Sequence, residues 1–310
     1  MPGSTRASGR PDVSTPDLTT PLPVTDLGNR AAPRKGRRLR AFVRNPTFVG
    51  GVIILGFVVM LALFAGWLFP SDPQDMVGPP LLWPGDDAEF PLGTDSLGRN
   101  VLALLVHGAR ASLLVGISAA AIGLAIGMVV GSVAGFFGGW VDILLTRLIE
   151  LFQTTPTFLL VVVIVAIREP SLQTIALAIG LASWPTVARL VRAQFRSLRE
   201  SDFVVAARSL GYSRTRIIVQ EILPNALPPV IVAASVMIAN AILTEAGLSF
   251  LNMRDPNVVS WGGMIGDSRD QLRNAWFLTA LPGAAIAATV LSLNLVGDGL
   301  NEILNPRSDP

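Results

Sequence analysis

Between Arg110 and Asp142 the chain runs for 31 residues without a charged side chain. No other feature restricts the fold as much. A surface helix in water keeps a polar face, whereas a helix apolar all round is stable only inside a core or a bilayer. About 20 such residues cross the hydrocarbon at about 1.5 Å each. Five further apolar runs occupy residues 47–69, 144–167, 172–190, 230–250 and 275–296. The 310 residues are 51% hydrophobic and only 15% charged, against about 25% charged in a soluble domain. An all-α membrane protein with six transmembrane helices is the expectation.

Charge distribution orients the spans. Residues 1–45 are rich in Pro, Ser, Thr and Gly and end in Arg34, Lys35, Arg37, Arg38, Arg40 and Arg44. They read as a disordered basic tail held in the cytoplasm, with anionic membrane lipid as a second role for the cluster. The first span, 46–70, leads to an external loop, 71–107, whose Asp72, Asp75, Asp86, Asp87, Glu89 and Asp95 face Arg99 alone over its first 30 positions. Residues 108–300 hold five more spans, and 301–310 form a tail. A second basic cluster, Arg189, Arg192, Arg196, Arg199, Arg208, Arg214 and Arg216, puts residues 192–224 inside, so both termini are expected in the cytoplasm of a bacterial cell with a multi-pass inner-membrane protein. Residues 252–274, with balanced charge and Trp261, read as a short amphipathic segment outside.

Gly123, Gly127, Gly131 and Gly135 recur every fourth position, which aligns them on one helix face and predicts close approach of another backbone. Arg147 and Glu150 are spaced to pair on one face. Pro185 is expected to kink its span unless neighbours satisfy the freed carbonyl. Asn240, Thr244 and Glu245, with Asn294 near the inner end of the last span, are polar groups in lipid, where each needs a partner or a water-filled path. They read either as pathway lining or as helix–helix hydrogen bonding.

Several chemistries are excluded. There is no cysteine, His107 is the only histidine and Lys35 the only lysine. Thiolate or imidazole metal sites, Ser-His and Cys-His nucleophile pairs and a phosphate-cradling Gly-rich loop closing on Lys are all missing. His107 reads as structural. No catalytic residue, metal or cofactor is expected, nor a nucleic-acid partner; if ATP and Mg power the protein, other chains bind them.

The stretch 202–224, DFVVAARSLGYSRTRIIVQEILP, is polar and basic between two apolar runs. Its pattern is a helix over 203–210, a break at Gly211, and a second helix capped by Ser213 that stops near Pro224. Ala206, Ala207, Gly211, Leu223 and Pro224 within it resemble the coupling (EAA) loop of ABC importer permeases. PLGTDSLGRNVL (91–102), GARASLLVG (108–116), GFFGGWVD (135–142), SWPTVARLVRAQFRSLRE (183–200), ILTEAGLSFL (242–251) and NLVGDGLNEILNP (294–306) are similar to the C-type permease subunit of dipeptide and oligopeptide importers.

The resemblance implies a type I ABC importer permease fold with the first span peripheral. It also implies a second, B-type permease subunit, two cytoplasmic ATPase subunits docked on Ala206, Ala207, Arg208, Gly211, Leu223 and Pro224, and an extracytoplasmic peptide-binding protein. Val205 departs from the family pattern, standing where the acidic residue is usual, so no salt bridge forms there. Nickel, glutathione and haem are alternative cargoes of the same scaffold. Two other classes compete with this reading. An ion-driven secondary carrier would use Glu245 and Asn240, but no convincing repeat between the halves supports it. An intramembrane enzyme lacks a nucleophile and base.

Overall fold

The computed structural model describes residues 45–304. The basic cluster of the N-terminal tail, Arg34 to Arg44, and residues 305–310 lie outside the described residues. The chain forms α1 (Pro46–Leu68), α2 (Val101–Phe137), α3 (Gly139–Thr154), α4 (Thr157–Ile167), α5 (Leu172–Arg199), α6 (Asp202–Ser209), α7 (Arg214–Phe250), α8 (Trp261–Ser268) and α9 (Phe277–Leu304). Among the described residues there is no strand, only two isolated bridges in the loop before α2. α1, α2, α5, α7 and α9 are each long and apolar enough to cross a membrane, and α3 with α4 makes a sixth crossing if the two are counted together.

Helix starts follow from local chemistry. Asn45, Asn100, Ser171 and Ser260 each place a side-chain oxygen on the free N–H groups of a first turn, satisfying donors that have no partner within the helix. Capping by Asn100 starts α2 ten positions before the charge-free run, inside the expected external loop; Arg110 stays exposed. His107 Nε2 lies 3.1 Å from the Phe69 carbonyl oxygen and joins α2 to the end of α1.

α2 and α5 form the central pair, and the glycine stripe is the reason. A Cβ at Gly127 would lie 2.6 Å from Val187 Cβ, one at Gly131 2.5 Å from the Ala188 carbonyl oxygen, and one at Gly135 2.7 Å from the Arg192 carbonyl oxygen. Gly123 meets Ser183 and Met237 in the same way, and Gly180 of α5 meets Ile122. Every fourth residue of α2 thus lacks a side chain where α5 passes. Asp142 on α3 accepts two hydrogen bonds from the Arg192 guanidinium of α5, the Nη2–Oδ2 arm at 2.8 Å, which pins the start of α3. Arg147 and Glu150 pair at 2.9 Å. α1 packs mainly on α2 and α9 and exposes Ile53, Phe57, Leu63 and Trp67, the peripheral position expected of it.

Three expectations are corrected. The third span is not one helix: α3 and α4 meet at 83° across Thr155 and Pro156. Proline pushes the residue before it out of helical geometry, and Thr155 is extended at φ −89°, ψ 129°. α4 alone, at 11 residues, rises about 16 Å, half the hydrocarbon thickness.

The helix after Gly211 does not stop near Pro224, nor does the fifth span begin after Pro229. α7 runs unbroken from Arg214 to Phe250. Residues Ile217–Ile222 form a π-turn, after which Pro224 falls in the first turn of the α-helical stretch, where a missing N–H costs little. Pro228 and Pro229 free the carbonyls four residues back; those belong to Pro224 and Asn225, both exposed.

The segment 252–274 does contain a helix, α8, but its Trp261, Gly262, Gly263 and Met264 are buried, so it is inserted between α2 and α7 instead of lying on the surface. α5 continues through a buried Pro185. α9 runs to Leu304, into the expected tail.

Gly131→Leu is expected to force α2 from α5 and lower stability by about 1–3 kcal/mol, the cost of overpacking a tight contact. Gly56→Leu, where a Cβ meets nothing within 4 Å, is expected to leave the thermal unfolding midpoint of detergent-solubilised protein unchanged.

Candidate functional site

Two places bring the polar residues singled out from the sequence into defined geometry: the turn between α6 and α7, and the faces of α7 within the bundle.

The α6–α7 turn is a double hydrogen-bonded helix stop. Tyr212 N–H donates to the Ala207 carbonyl at 3.1 Å and Gly211 N–H to the Arg208 carbonyl at 3.0 Å. This pattern needs a left-handed residue at the first position past the cap, and Gly211 supplies it at φ +77°. Two residues later Ser213 Oγ accepts from Arg216 N–H at 3.3 Å and opens α7. The Arg216 guanidinium lies 3.8 Å over the Tyr212 ring, while its Nε donates to Gln220 Oε1 at 3.0 Å. Both contacts brace the turn.

α6 has two faces. Val204 and Ala207 are buried in a cluster with Phe195 of α5, Ile217 and Ile222 of α7 and Phe136 of α2. Phe203, Ala206, Leu210 and Gly211 are exposed, Leu210 73% so, while Val205, 51% exposed, borders the cavity beside the end of α2. The expected docking set therefore divides. Ala206, Arg208 and Gly211 are accessible, whereas Ala207 anchors α6 to its own bundle and offers no surface to a partner. Leu223 is half-buried against the same cluster and Pro224 is exposed. Between α6 and the end of α2 opens a cavity of about 770 Å³, bordered by Phe136, Phe137, Arg199, Glu200, Arg208 and Arg214.

Asn240, Thr244, Glu245 and Asn294 do not form one lining. Asn240 and Thr244, one helical turn apart, border a groove between α4, α5 and α7, and Thr244 Oγ1 donates to the Asn240 carbonyl at 2.7 Å. Glu245, about 100° further round α7, is 1% exposed and faces α8 and α2. Its Oε1 accepts from Ser249 Oγ at 2.8 Å and Ser260 Oγ at 2.7 Å, while Ser260 Oγ in turn accepts from Gly263 N–H. Trp261 N–H donates to Ser112 Oγ, and its indole Nε1 to the Leu105 carbonyl at 2.8 Å. Glu245 is thus the inner anchor of α8. Asn294 is half-buried on α9 and absent from the groove lining.

The C-terminal end of α8 is held by ions: Asp267 pairs with Arg254 at 2.6 Å and with Arg99 at 3.5 Å, and Arg99 with Asp95 at 2.5 Å. Sequence reading missed Ser112, Ser249 and Ser260, and the groove residues Thr157, Ser183 and Thr186. Hydroxyls inside apolar runs were the available signal, but which of them face one another is set by packing.

The chain matches the family described as binding-protein-dependent transport system inner membrane component over residues 127–310, and the N-terminal transmembrane domain of oligopeptide transport permease C over residues 36–86. It is 37% identical over 300 residues to the di/tripeptide transport system permease protein DppC of Pseudomonas aeruginosa, covering 95% of each chain. It is 39% identical over 296 residues to the dipeptide transport system permease protein DppC of Escherichia coli K12, covering 94% of this chain and 96% of that one. An inward-facing structure of the MetNI methionine ABC transporter shares its fold at a TM-score of 0.55 and 19% identity, covering 65% of this chain and 96% of the other.

Glu245→Ala is expected to strand the buried Ser249 and Ser260 hydroxyls, at about 1–3 kcal/mol for each donor left unpaired, and to loosen α8. Hydrogen exchange across residues 261–268 is expected to accelerate, with Trp261 fluorescence shifting toward that of a solvated indole. Glu245→Gln, which keeps the acceptor oxygen, is expected to preserve both.

Proposed function

The chain belongs to the binding-protein-dependent transport permeases, and from that premise we propose that it is the C-type half of a dipeptide importer whose α6–α7 turn receives a cytoplasmic ATPase subunit. As a permease of an ABC importer it is a multi-pass inner-membrane protein that works with other transporter subunits. Dipeptide cargo is taken from what the 37% and 39% identical relatives are named for. A B-type permease supplies the other half of the pathway, two ATPase subunits bind ATP and Mg, and an external binding protein delivers the peptide. This chain performs no bond chemistry and holds no cofactor. Both termini and the α6–α7 turn face the cytoplasm; the loop before α2 and α8 lie at the outer end.

The observation that carries the reading is the two-faced α6. Its inner face is fused to α2, α5 and α7 through Val204, Ala207, Phe195 and Ile217, and its outer face presents Phe203, Ala206 and Leu210 beside a rigid glycine turn. A partner that closes on ATP moves α6, and α6 moves the spans as a body because the contact is packed and hydrogen-bonded on both sides of the turn. With Val205 exposed at the usual acidic position, the partner's contact there is apolar instead of ionic. Arg208, Arg214 and Arg216, all exposed, favour acidic groups around the partner's groove.

The complete transporter in proteoliposomes is the test. Leu210→Glu, at a side chain 73% exposed, is expected to abolish co-purification of the ATPase and ATP-driven dipeptide uptake. Gly211→Val, which meets no atom within 4 Å but forces a β-branched residue to φ +77°, is expected to misalign the turn at a cost of at least about 1–2 kcal/mol and to reduce both. Uptake and ATPase binding left intact in both variants would remove the turn from the coupling role.

A further inference from the structure

Within the bundle, Thr157 of α4, Ser183 and Thr186 of α5, and Asn240 and Thr244 of α7 border one open groove of about 440 Å³. No Asp, Glu, Lys or Arg borders it. Its position follows from features already described: the break at Pro156 turns Thr157 toward it, and Ser183 and Thr186 lie one turn apart on α5, as do Asn240 and Thr244 on α7.

Two of the five groups are satisfied internally. Thr244 Oγ1 donates to the Asn240 carbonyl and Ser183 Oγ to the Gly180 carbonyl. The Asn240 carboxamide and the Thr157 and Thr186 hydroxyls make no side-chain hydrogen bond among the described residues, and all three are exposed to the groove. An unpaired carboxamide facing hydrocarbon is costly, and Asn240 sits at the middle of the apolar run 230–250. The face therefore meets something polar. A lipid tail cannot meet that need; water and a peptide backbone can.

We propose that this groove is the chain's contact surface for cargo in transit, and that it takes the peptide through its backbone amide, using the Asn240 carboxamide and the Thr157 and Thr186 hydroxyls. The inference deepens the importer reading and rests on it. Because the wall is uncharged, the charged ends of a dipeptide are not neutralised here. Because its partners are amide and hydroxyl groups, it does not discriminate among cargo side chains. Glu245 and Asn294 are no part of it.

The absence of cysteine from the sequence makes the test direct. Thr157→Cys, Thr186→Cys, Asn240→Cys and, as a lipid-facing control on α1, Ile53→Cys are placed one at a time in the complete reconstituted transporter, and this chain is probed with a charged, membrane-impermeant methanethiosulfonate. The three groove positions are expected to react and to be protected by dialanine, while position 53 does not react. Asn240→Leu is expected to lower dialanine uptake about fivefold, the loss of about one hydrogen bond to cargo, with ATPase subunits still bound, and Asn240→Gln to recover part of it.

Groove cysteines as inert as position 53 would mean lipid or a partner helix covers this face, and would overturn the proposal. So would unchanged uptake in Asn240→Leu. A wild-type transporter that labels in the groove but imports no dialanine would fault the dipeptide reading and keep the groove as a water-lined path for other cargo.

Discussion

Backbone contact between α2 and α5 underlies the rest of the structure. In lipid there is little hydrophobic gain in bringing two apolar helices together, so association depends on close packing and on satisfied polar groups. Gly123, Gly127, Gly131 and Gly135 let α5 approach until Cβ atoms would overlap its carbonyls. That approach puts Arg192 within reach of Asp142, which sets the start of α3, and brings Phe195 over Phe136 and under Val204 and Ala207. Without it α6 would have no floor.

The α6–α7 turn is therefore packed as an extension of the central pair. Its stiffness has three sources: the paired hydrogen bonds around Gly211, the Ser213 cap, and Arg216 stacked on Tyr212. The π-turn at Ile217–Ile222 lies within α7, which continues without a break despite three prolines. A continuous helix from the exposed turn to Phe250 joins the turn to both faces of α7, the groove with Asn240 on one side and Glu245 under α8 on the other. Thr244 and Glu245 are adjacent in sequence yet have opposite surroundings, one in an open groove and one sealed against Ser249 and Ser260.

Much of this was legible in the sequence. Apolar runs located the five long helices, spacing by four identified the α2 stripe, and Gly211 with Ser213 marked the turn. Misreadings cluster at prolines. Pro156 broke a run that hydropathy scored as one span, while Pro224, Pro228 and Pro229 failed to break one that local rules end, because a π-turn and exposed carbonyls absorbed the missing donors. The resemblance to the coupling loop puts Ala206 and Ala207 together in the docking set; their Cβ atoms diverge by about 100°, and only the tertiary packing shows that Ala207 is the one covered.

The amino-acid sequence by itself determined the membrane class, the location of the long helices, the exclusion of thiolate, imidazole and phosphate-loop chemistry, and the glycine turn, since each depends on composition or on spacing along a single helix. The tertiary structure alone decided which polar groups share a surface. Thr157, Thr186 and Asn240 are far apart in the chain, and whether a hydroxyl faces a groove or a neighbouring helix depends on how α4, α5 and α7 are rotated about their axes. That rotation is set by packing across the glycine stripe and around Pro156, through contacts between residues distant in sequence.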